Sequence, residues 1–208
     1  MTASSGQLFP AEHLETIELP GAQLTYTAGF YDKPRADGLF QLLQSRLDWR
    51  HEPITLFGKK VFQPRLTSWI ADKNIRYSYS SIELLGEGWP GFLTSLRKEV
   101  EAVSGVSFNS LLANCYRDGK DSMGWHADDE PELGPRPVIA SLSLGASRRF
   151  LFRSKSDHRR KLELLLEHGS LLIMAGSTQH FWQHSVPRSR GVNGPRINLT
   201  FRQILDRD

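Results

Sequence analysis

The chain has 208 residues, a formal net charge of +3, 39% hydrophobic residues and a single cysteine, Cys115. That length suits one domain with its own core. One thiol excludes an internal disulfide framework and a cysteine-based zinc site, and no apolar run reaches the roughly 18 residues a membrane helix needs.

Residues 1–12 are small and polar and are expected to form a disordered tail. No charged segment followed by an apolar stretch opens the chain, so a secretory signal is not expected and an intracellular setting is: cytoplasmic in a bacterium, nuclear in a eukaryote. Leu14 to Tyr31 reads as short extended segments around Pro20-Gly21. From Ala36 to Trp49, Leu39, Phe40, Leu42, Leu43 and Leu47 recur at helical spacing. Ile54 to Phe62 reads as a hairpin or wide turn around Phe57-Gly58-Lys59, and Tyr77 to Ser80 as a strand. A second helix is predicted from Pro90 to Val103, stopped by Gly105.

Beyond Gly105 the chain is strand-rich. Leu111–Tyr116, Val138–Leu144, Phe150–Arg153, Leu162–Leu166, Leu171–Met174 and Ile197–Arg202 are candidate strands. Two helices followed by many short strands imply an α+β, mainly β fold, with the strands in a double sheet or jelly roll. Residues 13–208 read as a single domain, with 13–104 the helical and lid-like half and 105–208 the β core.

The chemistry starts at His126-Ala127-Asp128. Residues two apart in a strand face one side, so both side chains can reach one metal. Far downstream, the segment Gln179-His180-Phe181-Trp182-Gln183-His184 offers a third ligand, from His180 or His184. Two histidines and one carboxylate fill one face of an octahedron and leave the other open, which suits non-haem Fe(II). Asp129 and Glu130 extend the acidic stretch.

Along Arg196-Ile197-Asn198-Leu199-Thr200-Phe201-Arg202 the polar residues share one face and the apolar residues the other. Two arginines on a buried face suit a dicarboxylate. A strand edge with its polar face in water explains the same pattern equally well. Positive charge also gathers at Lys59-Lys60, Arg148-Arg149 and Arg153 to Lys161. A solvated surface or a phosphate contact fits such runs.

The ordered set of motifs resembles the AlkB family of Fe(II)/2-oxoglutarate dioxygenases, over roughly residues 50–204. It comprises Asn114-Cys115-Tyr116 with Gly119, His126 to Glu130, Leu164 to Gly169, Gln183-His184-Ser185-Val186-Pro187, and Arg196 to Arg202. The stretch Leu56-Phe57-Gly58-Lys59 and the acidic Asp128-Asp129-Glu130 look most like the subgroup that repairs duplex DNA.

The resemblance implies a double-stranded β-helix core with N-terminal helices and a nucleotide-recognition lid. It implies Fe(II) held by His126, Asp128 and His184, with the sequence around His184 selecting it over His180. It implies 2-oxoglutarate held by Asn114, Tyr116, Arg196, Asn198, Thr200 and Arg202, with O2 as the oxidant. Tyr77, Ser78 and Tyr79 would form the base-holding lid, Asp129 and Glu130 would meet the base edge, and Phe57, with Gly58 and Lys59, would plug the stack. The implied function is oxidative demethylation of N1-methyladenine and N3-methylcytosine in single- or double-stranded DNA. Formaldehyde, succinate and CO2 are the products, and the protein is expected to be a monomer. An AlkB-type oxygenase acting on RNA or protein and a non-catalytic lesion-binding module are the alternatives.

Overall fold

The computed structural model describes residues 14–56, 59–79 and 82–205. The tail expected over residues 1–12 lies outside them. Seven antiparallel strands make the larger sheet: β1 (Glu15–Ile17), β2 (Gln23–Thr27), β5 (Leu66–Ala71), β8 (Ser110–Tyr116), β10 (Ile139–Gly145), β13 (Ser170–Ala175) and β15 (Arg196–Arg202). Their order is β1-β2-β13-β10-β15-β8-β5. A second sheet, β12-β11-β14-β9, is built from β9 (Met123–His126), β11 (Arg148–Ser154), β12 (Lys161–Leu166) and β14 (Trp182–Val186). Two hairpins stand apart, β3 (Pro53–Leu56) with β4 (Lys59–Phe62), and β6 (Arg76–Tyr79) with β7 (Ile82–Leu85). The jelly-roll expectation is met. The sheets cross the expected division at residue 104, since β1, β2 and β5 hydrogen-bond within the larger sheet.

Helix α1 spans Lys33–Arg46, three residues earlier than its apolar periodicity suggests. The Asp32 side chain accepts a hydrogen bond from the Arg35 amide at 3.0 Å, and Pro34 supplies a preset φ in the first turn. At the other end Leu47 is already extended, and Arg50 bridges to Thr67. Helix α2 spans Gly91–Ser104, with Pro90 just before it rather than inside. It buries Leu93, Leu96 and Val100 on one face and ends at Gly105, whose φ of 70° suits glycine. A short helix, α3 (Thr178–Phe181), precedes β14.

One apolar cluster joins α1 and α2 to the larger sheet, and another lies around Phe150, Phe152, Leu172 and Met174. Strand β15 separates two environments. Ile197, Leu199 and Phe201 pack in the helix-facing cluster, so Arg196, Asn198, Thr200 and Arg202 project to the opposite face. Because β15 lies between β10 and β8, this is an interior strand with every residue buried, which removes the edge-strand explanation of its polar face.

Candidate metal and dicarboxylate site

His126, Asp128 and His184 come together, with one ligand atom from each within 4.8 Å of the others. His126 is the last residue of β9 and pairs in register with His184 of β14. Asp128 lies two residues past the end of β9, so the pair does not share a strand as its spacing suggests. Instead the Asp128 amide donates to Gln179 Oε1 at 3.0 Å, and the Arg202 side chain hydrogen-bonds the Asp128 carboxylate. His180, the other candidate, is exposed in α3 with its ring against Phe181.

The two imidazoles meet edge to face at 4.2 Å between centroids, and His184 stacks on Phe150 at 5.2 Å. His126 Nδ1 lies 2.9 Å from the Gly124 carbonyl, which can only accept, so Nδ1 carries the proton and Nε2 keeps its lone pair. Burial drives the His184 pKa down to about 3, with the neighbouring His126 adding to the effect, and burial lowers His126 too. Both rings are neutral at pH 7, as metal ligands must be. Burial opposes the charge on Asp128, but the Arg202 guanidinium outweighs it and holds the carboxyl below its usual range. The donors thus match a hard-to-borderline divalent metal with open positions, and Fe(II) fits them.

Beside them is a cavity of about 100 Å³ lined by Asn114, Tyr116, Asn198, Thr200 and Arg202 along with the three ligands. Asn198 Nδ2 donates to Ser141 Oγ at 2.8 Å, and Thr200 donates to Asn198 Oδ1 at 2.9 Å. Arg196 is 1% exposed; its Nη2 donates to Ser143 Oγ at 2.9 Å and the guanidinium also interacts with Tyr116, while its Nε and Nη1 have no well-formed hydrogen bond among the described residues. A buried guanidinium with unused donors fits a carboxylate end, as 2-oxoglutarate would provide.

Sequence reasoning missed Arg65, Gln179, Ser141 and Ser143. Arg65 Nε donates to Asn114 Oδ1 at 2.8 Å and lines the cavity. No local pattern marks any of the four, since each reaches the site through contacts distant in sequence.

The expected substrate residues separate. Glu130 lines the cavity, whereas Asp129 lies outside its lining and pairs with Lys155 at 2.7 Å. Tyr77, Ser78 and Tyr79 lie in β6, and Lys59 opens β4, but only their backbone is described. Phe57 and Gly58 lie outside the described residues, between strands paired as Leu56 with Lys59. Of the basic runs, Arg149 is exposed and paired with Glu163, while Arg148 is buried. The surface expected there applies to Arg149 alone, because alternate residues of β11 face opposite sides.

A model of the 2OG-Fe(II) oxygenase superfamily matches residues 23–202. The alpha-ketoglutarate-dependent dioxygenase alkB homolog 3 of Bos taurus is 42% identical over 185 residues, which cover 85% of this chain and 64% of that protein. The match therefore spans a little under two thirds of that relative's length. The DNA oxidative demethylase ALKBH2 of Homo sapiens is 39% identical over 199 residues, covering 91% of this chain and 76% of that protein. Among solved structures, that of OsALKBH1 superposes with a TM-score of 0.65 at 19% identity, covering 91% of this chain and 99% of the other, and so shares the fold.

Proposed function

This chain belongs to the AlkB family of the 2OG-Fe(II) oxygenase superfamily, and we propose that it oxidatively demethylates N-alkylated bases, N1-methyladenine and N3-methylcytosine, in DNA. The observation that carries the reading is a set of three ligands for Fe(II) beside a polar cavity, with the buried Arg196 guanidinium outside its lining but on the strand and face that supply Asn198, Thr200 and Arg202 to it. Relatives named as alkB-type dioxygenases and DNA oxidative demethylases support the choice of substrate.

Fe(II), 2-oxoglutarate and O2, when bound, supply the oxidation that turns an N-methyl group into formaldehyde while 2-oxoglutarate becomes succinate and CO2. The protein's part is to hold and shield. His126, Asp128 and His184 hold the metal, and Arg202 with Gln179 fixes Asp128. Asn114, Tyr116, Asn198 and Thr200 shape the co-substrate cavity, and Arg196 takes the distal carboxylate. Phe150 and Val186 exclude water on the apolar side.

A base inside a duplex cannot reach this site and has to be flipped out, which costs a few kcal/mol. N1-methyladenine and N3-methylcytosine pair poorly, so that cost is smaller for them, and they carry positive charge. The Glu130 and Asp129 carboxylates favour such a cation. Tyr77 or Tyr79 would stack on the base, and Phe57 would fill the gap it leaves, with Gly58 and Lys59 beside it.

The test is formaldehyde and succinate release from methylated single- and double-stranded DNA, with and without 2-oxoglutarate, beside methylated RNA. Release from DNA that depends on 2-oxoglutarate is the expected result. Release only from RNA, or none from any substrate with metal bound, overturns the assignment.

A further inference from the structure

Two guanidiniums lie over the ring of Tyr116: Arg196 at 5.2 Å from its centroid and Arg148 at 5.4 Å. Arg148 opens β11 and Arg196 opens β15, so the two sheets bring them to one residue at the end of β8. Both are buried, at 2% and 1% exposure, and neither forms a salt bridge among the described residues. Among the described residues Arg148 donates only to main-chain carbonyls, those of Asp118 at 3.1 Å, Asp121 at 2.8 Å and Pro187 at 2.6 Å. The Asp121 and Asp118 carboxylates favour the Arg148 charge, but no carboxylate is among the groups acting on Arg196, so a surplus of positive charge remains there, which an anion relieves.

We propose that Arg148 is a positioning residue for the co-substrate: its charge, held over Tyr116, strengthens the grip of Arg196 on the distal carboxylate of 2-oxoglutarate. The inference rests on the co-substrate reading above. Arg148 has committed both Nη groups to the main chain, so it acts across Tyr116 rather than by contact. The two cations feel one another: burial first, and then the Arg148 charge working against the favourable Tyr116, lowers the Arg196 pKa to about 10. An arriving carboxylate removes that repulsion, whereas a neutral group of the same shape does not. Arginine suits the place because its planar fork reaches carbonyls from the turn after β8 and from the end of β14 together.

The experiment is calorimetric titration of the Mn(II)-loaded protein, without oxygen, with 2-oxoglutarate and with 2-oxopentanoate, which lacks the distal carboxylate. For Arg148→Met, the Kd of 2-oxoglutarate is expected to rise about tenfold, the scale of one pKa unit of charge coupling, and that of 2-oxopentanoate to stay within twofold. Equal weakening of both ligands shows a merely structural role and overturns the proposal, as does wild-type affinity for 2-oxoglutarate. If Arg148→Met does not fold, Arg148→Gln, which keeps a donor for the carbonyls without the charge, carries the same expectations. Failure of the wild type to bind 2-oxoglutarate, with 2-oxopentanoate bound as well or better, defeats the co-substrate reading instead.

Discussion

The Lys155 ammonium lies 2.7 Å from Asp129 Oδ2, so a carboxylate one residue beyond the metal ligand Asp128 already has a cation. A positively charged base arriving at that edge must compete with Lys155. Lys155→Met should therefore raise the preference for a cationic base over a neutral one. Half-exposed pairs of this kind are worth up to about 1 kcal/mol, so the ratio of kcat/KM for N3-methylcytosine over N3-methylthymine should grow roughly two- to fivefold. An unchanged ratio removes Asp129 from base selection.

Asp128→Ala takes away a metal ligand and the carboxylate facing Arg202. Metal-dependent formaldehyde release should vanish. Breaking a buried pair costs about 3–5 kcal/mol, so the metal-free variant should also melt well below the wild type. Activity retained with Fe(II) and 2-oxoglutarate present would contradict the ligand assignment.

Asp121 sets a pH dependence. Burial pushes its pKa up, but the Arg117 side chain and amide, at 2.7 and 2.9 Å, outweigh burial and hold it below the ordinary value. The unfolded chain therefore takes up this proton at a higher pH than the native protein. The stabilisation is whole above about pH 4 and is lost as pH falls through the lower native value. Asp121→Asn should cost about 1–2 kcal/mol near neutrality, allowing for the half-exposed Arg117. Urea midpoints from pH 7 to 3 should show the gap to wild type closing in acid; a constant gap rules the mechanism out.

Phe57 is proposed as the residue that fills the stack, and only a duplex has a stack to fill. Phe57→Ala should cut turnover of methylated duplex several-fold more than that of methylated single strands, since a stacked base is worth about 1–3 kcal/mol. Equal losses on both substrates would eliminate the wedge.

Much of the site is legible in the residues themselves. The period-two pattern of Arg196 to Arg202 sorts polar from apolar side chains in any extended strand, and the structure keeps that sorting. The types of the iron ligands and the helical stripe of α2 are local as well. Alternation also says that Arg148 and Arg149 face opposite ways.

Which of the two arginines is inside is another matter. It is settled by β11 pairing with β12 on one side and β14 on the other, which turns Arg148 toward Tyr116 and leaves Arg149 with Glu163. The placing of Arg65 on Asn114 and of Gln179 on Asp128 depends likewise on contacts between residues 49 and 51 positions apart. The amino-acid sequence determined which groups could bind a metal and a dicarboxylate. Tertiary structure alone decided which charges are buried beside them, because burial depends on which strands meet and no local pattern encodes that.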